Sequence, residues 1–215
     1  MNWGWMAHFW RWMAQLTWMV RLTPLCIIAG CISRPPPSLY VLSDPGDSAM
    51  DANAVVAAPV LQLQPVLIPD YLDTTDIDLR VGPHELQASR TGRWGERLST
   101  GITHALRADL AARLPVDSVV LALPAEKSAR QILVTVDAFD VWADGHCVLI
   151  ANWSLLESQS RAVLNTGKGT FVTAAAVQRG SPGGGGGDGE VVKGMADAVG
   201  KLADSVAAGV KALPP

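Results

Sequence analysis

Apolar positions along this chain change period several times, and each change marks an element. Residues 39–42 and 60–68 read as strands, the second because Gln62 and Gln64 alternate with apolar neighbours until Pro69-Asp70 ends the run. Residues 76–81 and 84–88 predict two short strands joined at Gly82-Pro83. Trp94, Leu98, Ile102, Leu106, Leu110 and Leu114 then recur every four residues. That stripe predicts a helix of about five turns, opening at Trp94 and stopped by Pro115. Residues 118–123 predict a further strand.

The strongest hairpin pattern lies at residues 131–142 and 146–156, with Asp144-Gly145 between them as a pair that tolerates positive φ. Ile132, Val134, Val136 and Ala138 are expected on one face, and Leu133, Thr135, Asp137 and Phe139 on the other. On the return, Leu149, Ala151, Trp153 and Leu155 alternate with Ile150, Asn152 and Ser154. Residues 162–176 predict one more antiparallel strand, with a break at 167–169. The glycine run at 183–187 predicts a flexible connection. A last helix is predicted at about 190–213, burying Val192, Met195, Val199, Leu202, Val206, Gly209 and Leu213.

Composition separates the start of the chain from the rest. Five of the eight Trp and four of the six Met precede residue 20. Residues 1–30 hold Arg11 and Arg21 and no acid, and residues 22–30 are uncharged and mostly apolar. A basic start, a short apolar middle and small residues at the cut define a secretory signal. Here Ile28-Ala29-Gly30 precede Cys31. The run resembles the lipobox of bacterial lipoproteins. The resemblance implies cleavage after residue 30, a diacylglycerol thioether on the Cys31 thiol and an acyl chain on its new amino group. Two or three chains hold a protein stably where one holds it marginally. A membrane-spanning anchor fits less well, because Gln15, Arg21 and Pro24 interrupt residues 13–31. Ile32 stands where an Asp would favour inner-membrane retention, so the resemblance points to the periplasmic face of the outer membrane.

Without the leader, 15 basic residues face 20 acidic ones. Such a body has no charge-driven affinity for nucleic acid or anionic headgroups. With Cys26 lost and Cys31 lipidated, Cys147 stands alone in an apolar run, which predicts a buried thiol and no disulfide within the mature chain. Residues 33–38, Ser-Arg-Pro-Pro-Pro-Ser, form a stiff tether of roughly 20 Å in polyproline II geometry.

Three pieces of the body carry a family resemblance, in order: Tyr40-Val41-Leu42; the stretch Val66-Leu67-Ile68-Pro69-Asp70-Tyr71-Leu72-Asp73; and Arg93-Trp94-Gly95-Glu96-Arg97-Leu98 about 20 residues further on. With the long hairpin and the closing helix, they resemble the PqiC-like auxiliary lipoproteins of ABC-type transport systems. The glycine run departs from the family pattern. The resemblance implies a single α/β (α+β) domain over residues 39–213, with a mixed, largely antiparallel sheet backed by two amphipathic helices. It follows a signal peptide at 1–30 and a lipidated tether at 31–38. The resemblance also implies a non-enzymatic accessory role beside an MCE-domain protein and an inner-membrane permease, in systems tied to lipid movement and envelope integrity. An assembly of identical copies is expected.

No catalytic or metal-binding motif is present in the sequence, and no cofactor is expected beyond the lipid on Cys31. His84, His104 and His146 are mutually isolated. Residues 166–170, Thr-Gly-Lys-Gly-Thr, lack the upstream Gly of a phosphate loop and fall inside a strand pattern. Trp94 is expected to pack in the core at the helix end, or, with Arg93 and Glu96, to contact a partner. Two rival roles remain at this level: a direct lipid carrier, and a structural envelope lipoprotein bound to peptidoglycan or another outer-membrane machine.

Overall fold

A computed structural model describes residues 35–43, 60–114, 118–121, 130–175 and 186–213. The order is β1 (Ser38–Tyr40), β2 (Val60–Leu63), β3 (Asp76–Gly82), β4 (Glu85–Trp94), α1 (Leu98–Arg113), β5 (Ser118–Val120), β6 (Arg130–Trp142), β7 (His146–Glu157), β8 (Val163–Ala174) and α2 (Gly186–Lys211). The class is mixed α+β, as the sequence predicts. All eight strands join one sheet, and its long ladders, β6–β7 and β7–β8, are antiparallel.

Strand β6 organises the sheet. One edge pairs with β7 along its length. The other edge is divided, with residues 130–132 parallel to β2 and residues 141–142 parallel to β3. Two wings therefore branch from β6: β2–β5, and β3–β4–β1. Both helices contribute to the same hydrophobic core as the strands. That core includes Leu61, Leu63, Ile102, Leu106, Leu110, Ile132, Leu149, Leu155 and Leu202.

Several boundaries correct the sequence reading. Residues 64–66 leave the ladder around Pro65, so β2 stops at Leu63, with Leu67 returning as an isolated bridge to Thr135. Strand β4 runs on to Trp94, so Trp94 ends a strand and the helix opens at Leu98. Trp94 is 5% exposed in the core, which is why its apolar character aligned with the helical stripe. On β6, Ile132, Val134 and Val136 are buried, but a bulge between Val136 and Ala138 shifts the phase, so the next buried residues are Phe139 and Val141. Phe139 thus faces the core and Ala138 does not, the reverse of the plain alternation. Strand β8 is unbroken through residues 167–169. Helix α2 starts at Gly186, inside the glycine run, and its buried face is wider than predicted, taking in Val191, Ala198, Ala203, Ala207 and Val210.

Trp153 shows how the helices seat on the sheet. Its indole is buried between β8 and α2, and its Nε1 donates to Ser205 Oγ at 3.1 Å. A Cβ on Gly167 would lie 2.4 Å from the ring, and one on Gly209 2.2 Å from it. Two glycines, one on each element, form the slot that takes the ring.

Candidate functional site

The residues of the two signature stretches converge. Arg93 bonds Asp76 Oδ1 through Nε at 2.9 Å and Nη2 at 2.6 Å. Arg97 reaches Asp73 at 3.2 Å, and Asp73 Oδ1 accepts the Ser99 backbone N–H at 3.2 Å. The backbone N–H groups of Trp94, Gly95 and Leu98 donate to the carbonyls of Thr75, Tyr40 and Thr74. Leu72 packs in the core. The nominal N-cap of α1, Arg97, has no side-chain cap bond, and no acid lies in the first turn. Asp73 does that work from 26 residues upstream.

Burial pushes the Asp73 carboxyl up, but the bonds from Ser99 and Arg97 outweigh it and hold the group below its ordinary range. A carboxylate with a lowered folded pKa stabilises above its unfolded pKa, and that contribution vanishes as pH falls through the folded value. Asp73→Ala should therefore cost about 1 kcal/mol at pH 7, the typical value of a cap. The gap to the parent in urea midpoints should narrow in acid, where the parent's carboxylate is protonated. Asp78, raised by burial and by Asp76, works in the opposite sense, so the comparison with the parent isolates Asp73. An equal midpoint difference at pH 7 and in acid would reject the cap.

A second cluster occupies the turn end of β6. Arg80 pairs with Asp140 at 2.8 Å, both largely buried, and its guanidinium lies 5.7 Å from the centroid of Trp142. Trp142 stacks on His146 at 5.4 Å, and His146 Nδ1 bonds Asp144. Burial, then the Asp140 charge, raises the Tyr71 phenol beside them. The arrangement locks the β6–β7 turn, where Gly145 takes a φ of 93°.

Two concavities stand out among the described residues. A cleft of about 730 Å³ runs beside α1, α2 and β8. Arg113 crosses it, bonding Asp109 at 2.5 Å, Asp204 at 2.6 Å and the Gly200 carbonyl at 3.1 Å. Its charges are largely spent on one another. A groove of about 360 Å³ is lined by Gln64, Pro65, Leu67, Gln131, Leu133, Val134, Thr135 and Arg161. Leu67 is 65% exposed there. Arg161 has a φ of 59°, rare for a non-glycine residue, and forms no ion pair among the described residues.

The lipobox residues Ile28, Ala29, Gly30 and Cys31 lie outside the described residues. Of the candidate partner residues, Arg93 and Glu96 reach the surface, and Trp94 is buried, so the three do not share an accessible patch. Glu96 faces His104 at 3.5 Å. Residues 166–170 lie within β8, and residues 152–154 within β7, as the sequence pattern indicates. No three His, Cys, Asp or Glu side chains among the described residues gather as metal ligands. Cys147 is free and fully buried, and desolvation pushes its thiol up to about 11. Thiol reagents at pH 8 should leave it unmodified in the folded domain and label it fully in urea. Rapid labelling of the native protein would contradict the burial.

A mixed sheet with two helices packed into one core defines a small α+β domain. The chain belongs to the family described as the ABC-type transport auxiliary lipoprotein component, whose model matches residues 40–207. That family is one of transport accessories, not of enzymes. A solved structure of an uncharacterised protein is similar to it, with a TM-score of 0.60 and 20% identity, covering 82% of this chain and 99% of the other. A Xanthomonas campestris protein of the DUF330 family gives a TM-score of 0.57 and 16% identity, covering 81% and 91%. At these identities the two share the fold. No curated protein matches the chain.

Proposed function

We propose that this chain is an accessory subunit of an MCE-type intermembrane lipid transport system, held by a lipid on Cys31 at the periplasmic face of the outer membrane. The observation that carries this is the family match over residues 40–207 behind an Ala29-Gly30-Cys31 export boundary. Its partners are an MCE-domain protein and the inner-membrane permease, and its role is binding. Strand β8 is a candidate surface for assembly of identical copies, because among the described residues its only strand partner is β7, with Lys201 of α2 bonding the Val172 carbonyl. Deleting the protein should alter envelope permeability and the recovery of the inner complex with outer membranes. No change in either sinks the reading.

A direct lipid carrier is a second reading, favoured by the groove lined by Leu67, Leu133 and Arg161. Its size falls within the range of small-molecule sites. Native mass spectra of purified protein should then show bound lipid, lost in Leu67→Asp; lipid-free spectra reject it.

A further inference from the structure

Strand β1 is an edge strand three residues long, paired among the described residues only with β4. Tyr40 packs against the core and its carbonyl accepts the Gly95 N–H at 2.7 Å, so the segment is firmly seated. Its other side chains face water: Leu39 is 72% exposed and Val41 50%. Two residues apart in an extended segment, they point the same way. Leu39 lies in register with Arg93, so these two share a face of the sheet. Arg93 is exposed and paired with Asp76, so the charge across the ladder from Leu39 is balanced.

Single exposed apolar residues need no explanation. This pair is different because of its place in the chain. Ser38 lies seven positions after Cys31, a span of at most about 25 Å in a fully extended chain. That length is a ceiling on the distance between β1 and an anchored lipid. A short tether raises the local concentration of the pair at the bilayer to the millimolar range, so even marginal partitioning is enough to hold it there.

We propose that Leu39 and Val41 dip into the headgroup boundary of the membrane that carries the anchor, so that the domain lies against the bilayer through β1. The inference rests on lipidation of Cys31. The occupant is a lipid surface and not a second strand, because the pair follows the anchor by a few residues and Arg93 beside it already has its partner in Asp76. Arg93 shares the face of Leu39, so its aliphatic stem can lie along the boundary with its head in the wet layer. The contact therefore needs no anionic lipid and survives salt.

The test uses the lipidated full chain with Leu39→Cys carrying a polarity-sensitive dye, in vesicles of phosphatidylethanolamine with or without phosphatidylglycerol. Cys147 is sealed, so the dye takes position 39. Its emission should be blue-shifted, quenched by headgroup-region spin-labelled lipid, and unchanged by salt or by omitting phosphatidylglycerol. A dye at Lys211→Cys, at the exposed end of α2, should stay water-like. Water-like emission at position 39 in a chain shown by mass spectrometry to be acylated overturns this inference alone. A missing acyl group on Cys31 overturns the anchor beneath it as well. A blue shift that follows protein-to-lipid ratio and ignores the quencher means that a second copy covers β1, and rejects the membrane contact.

Discussion

Cys31→Ser should leave a chain that folds but is no longer held by lipid. Serine has no thiol to take the diacylglycerol, so the thioether cannot form and the acylated amino terminus that follows from it is lost. Membrane affinity then falls from the stable hold of two or three chains to that of the domain surface, or of the leader where it stays uncut. The described core, from Leu42 to Val210, contains no residue of the lipobox, so thermal unfolding of the domain should be unchanged. The variant should appear in soluble fractions or in the inner membrane with an uncut leader, and it should take up no labelled palmitate. Normal acyl labelling with outer-membrane fractionation would overturn the anchor.

Trp153→Ala should have the largest effect on stability. The ring fills the slot between Gly167 and Gly209, and neither glycine has a side chain to collapse into the space. Truncating a buried Trp typically costs about 3–5 kcal/mol, a large share of the 5–15 kcal/mol that holds a domain. The substitution also removes the bond to Ser205. The slot makes a second, sharper demand. Gly209→Ala alone should destabilise by about 1–3 kcal/mol, since its Cβ would overlap the ring. In a Trp153→Ala background the same change should be close to neutral, because the vacated space accepts the methyl. Urea unfolding of the four proteins in the unlipidated chain measures that coupling, and simple additivity would reject the slot.

The parts of the fold that were legible are those set by local pattern. The β6–β7 hairpin follows from alternation and Asp144-Gly145, and β7 keeps its phase from Cys147 to Leu155. Alternation failed on β6 after Val136 because the bulge at Asp137 is decided across the strands. Asp137 accepts the Asn152 side chain at 2.7 Å, which the sequence of β6 alone does not show. The start of α1 was misplaced for a similar reason: its cap is Asp73, contributed by another loop. The start of α2 inside glycines runs against helix propensity. It is fixed by Asp188, which is buried and accepts the hydroxyls of Ser89 at 2.8 Å and Thr91 at 2.5 Å from an irregular part of β4.

The candidate sites divide the same way. The proposed lipobox at residues 28–31 is a run of consecutive residues, so it can be proposed from sequence without the fold. The Leu67 groove is not, since the segment after β2, strand β6 and the β7–β8 turn build it together. Arg161 gave no signal at all, because positive φ at an arginine has no sequence mark.

The divided edge of β6 has a consequence for the order in which the molecule assembles. Strands β6, β7 and β8 are joined by connections of three and five residues, so they meet at low entropic cost. The β2 ladder instead joins residues such as Gln62 and Gln131, 69 positions apart. Local contacts close before distant ones, since the loop must be closed before the distant pairing repays it. The three-stranded meander is thus the natural template, and the two wings add to an edge that already exists. In that order β1, at the far end of its wing, docks after β3 and β4 are in place. The domain finishes building itself at the end of the chain nearest Cys31, the proposed anchor.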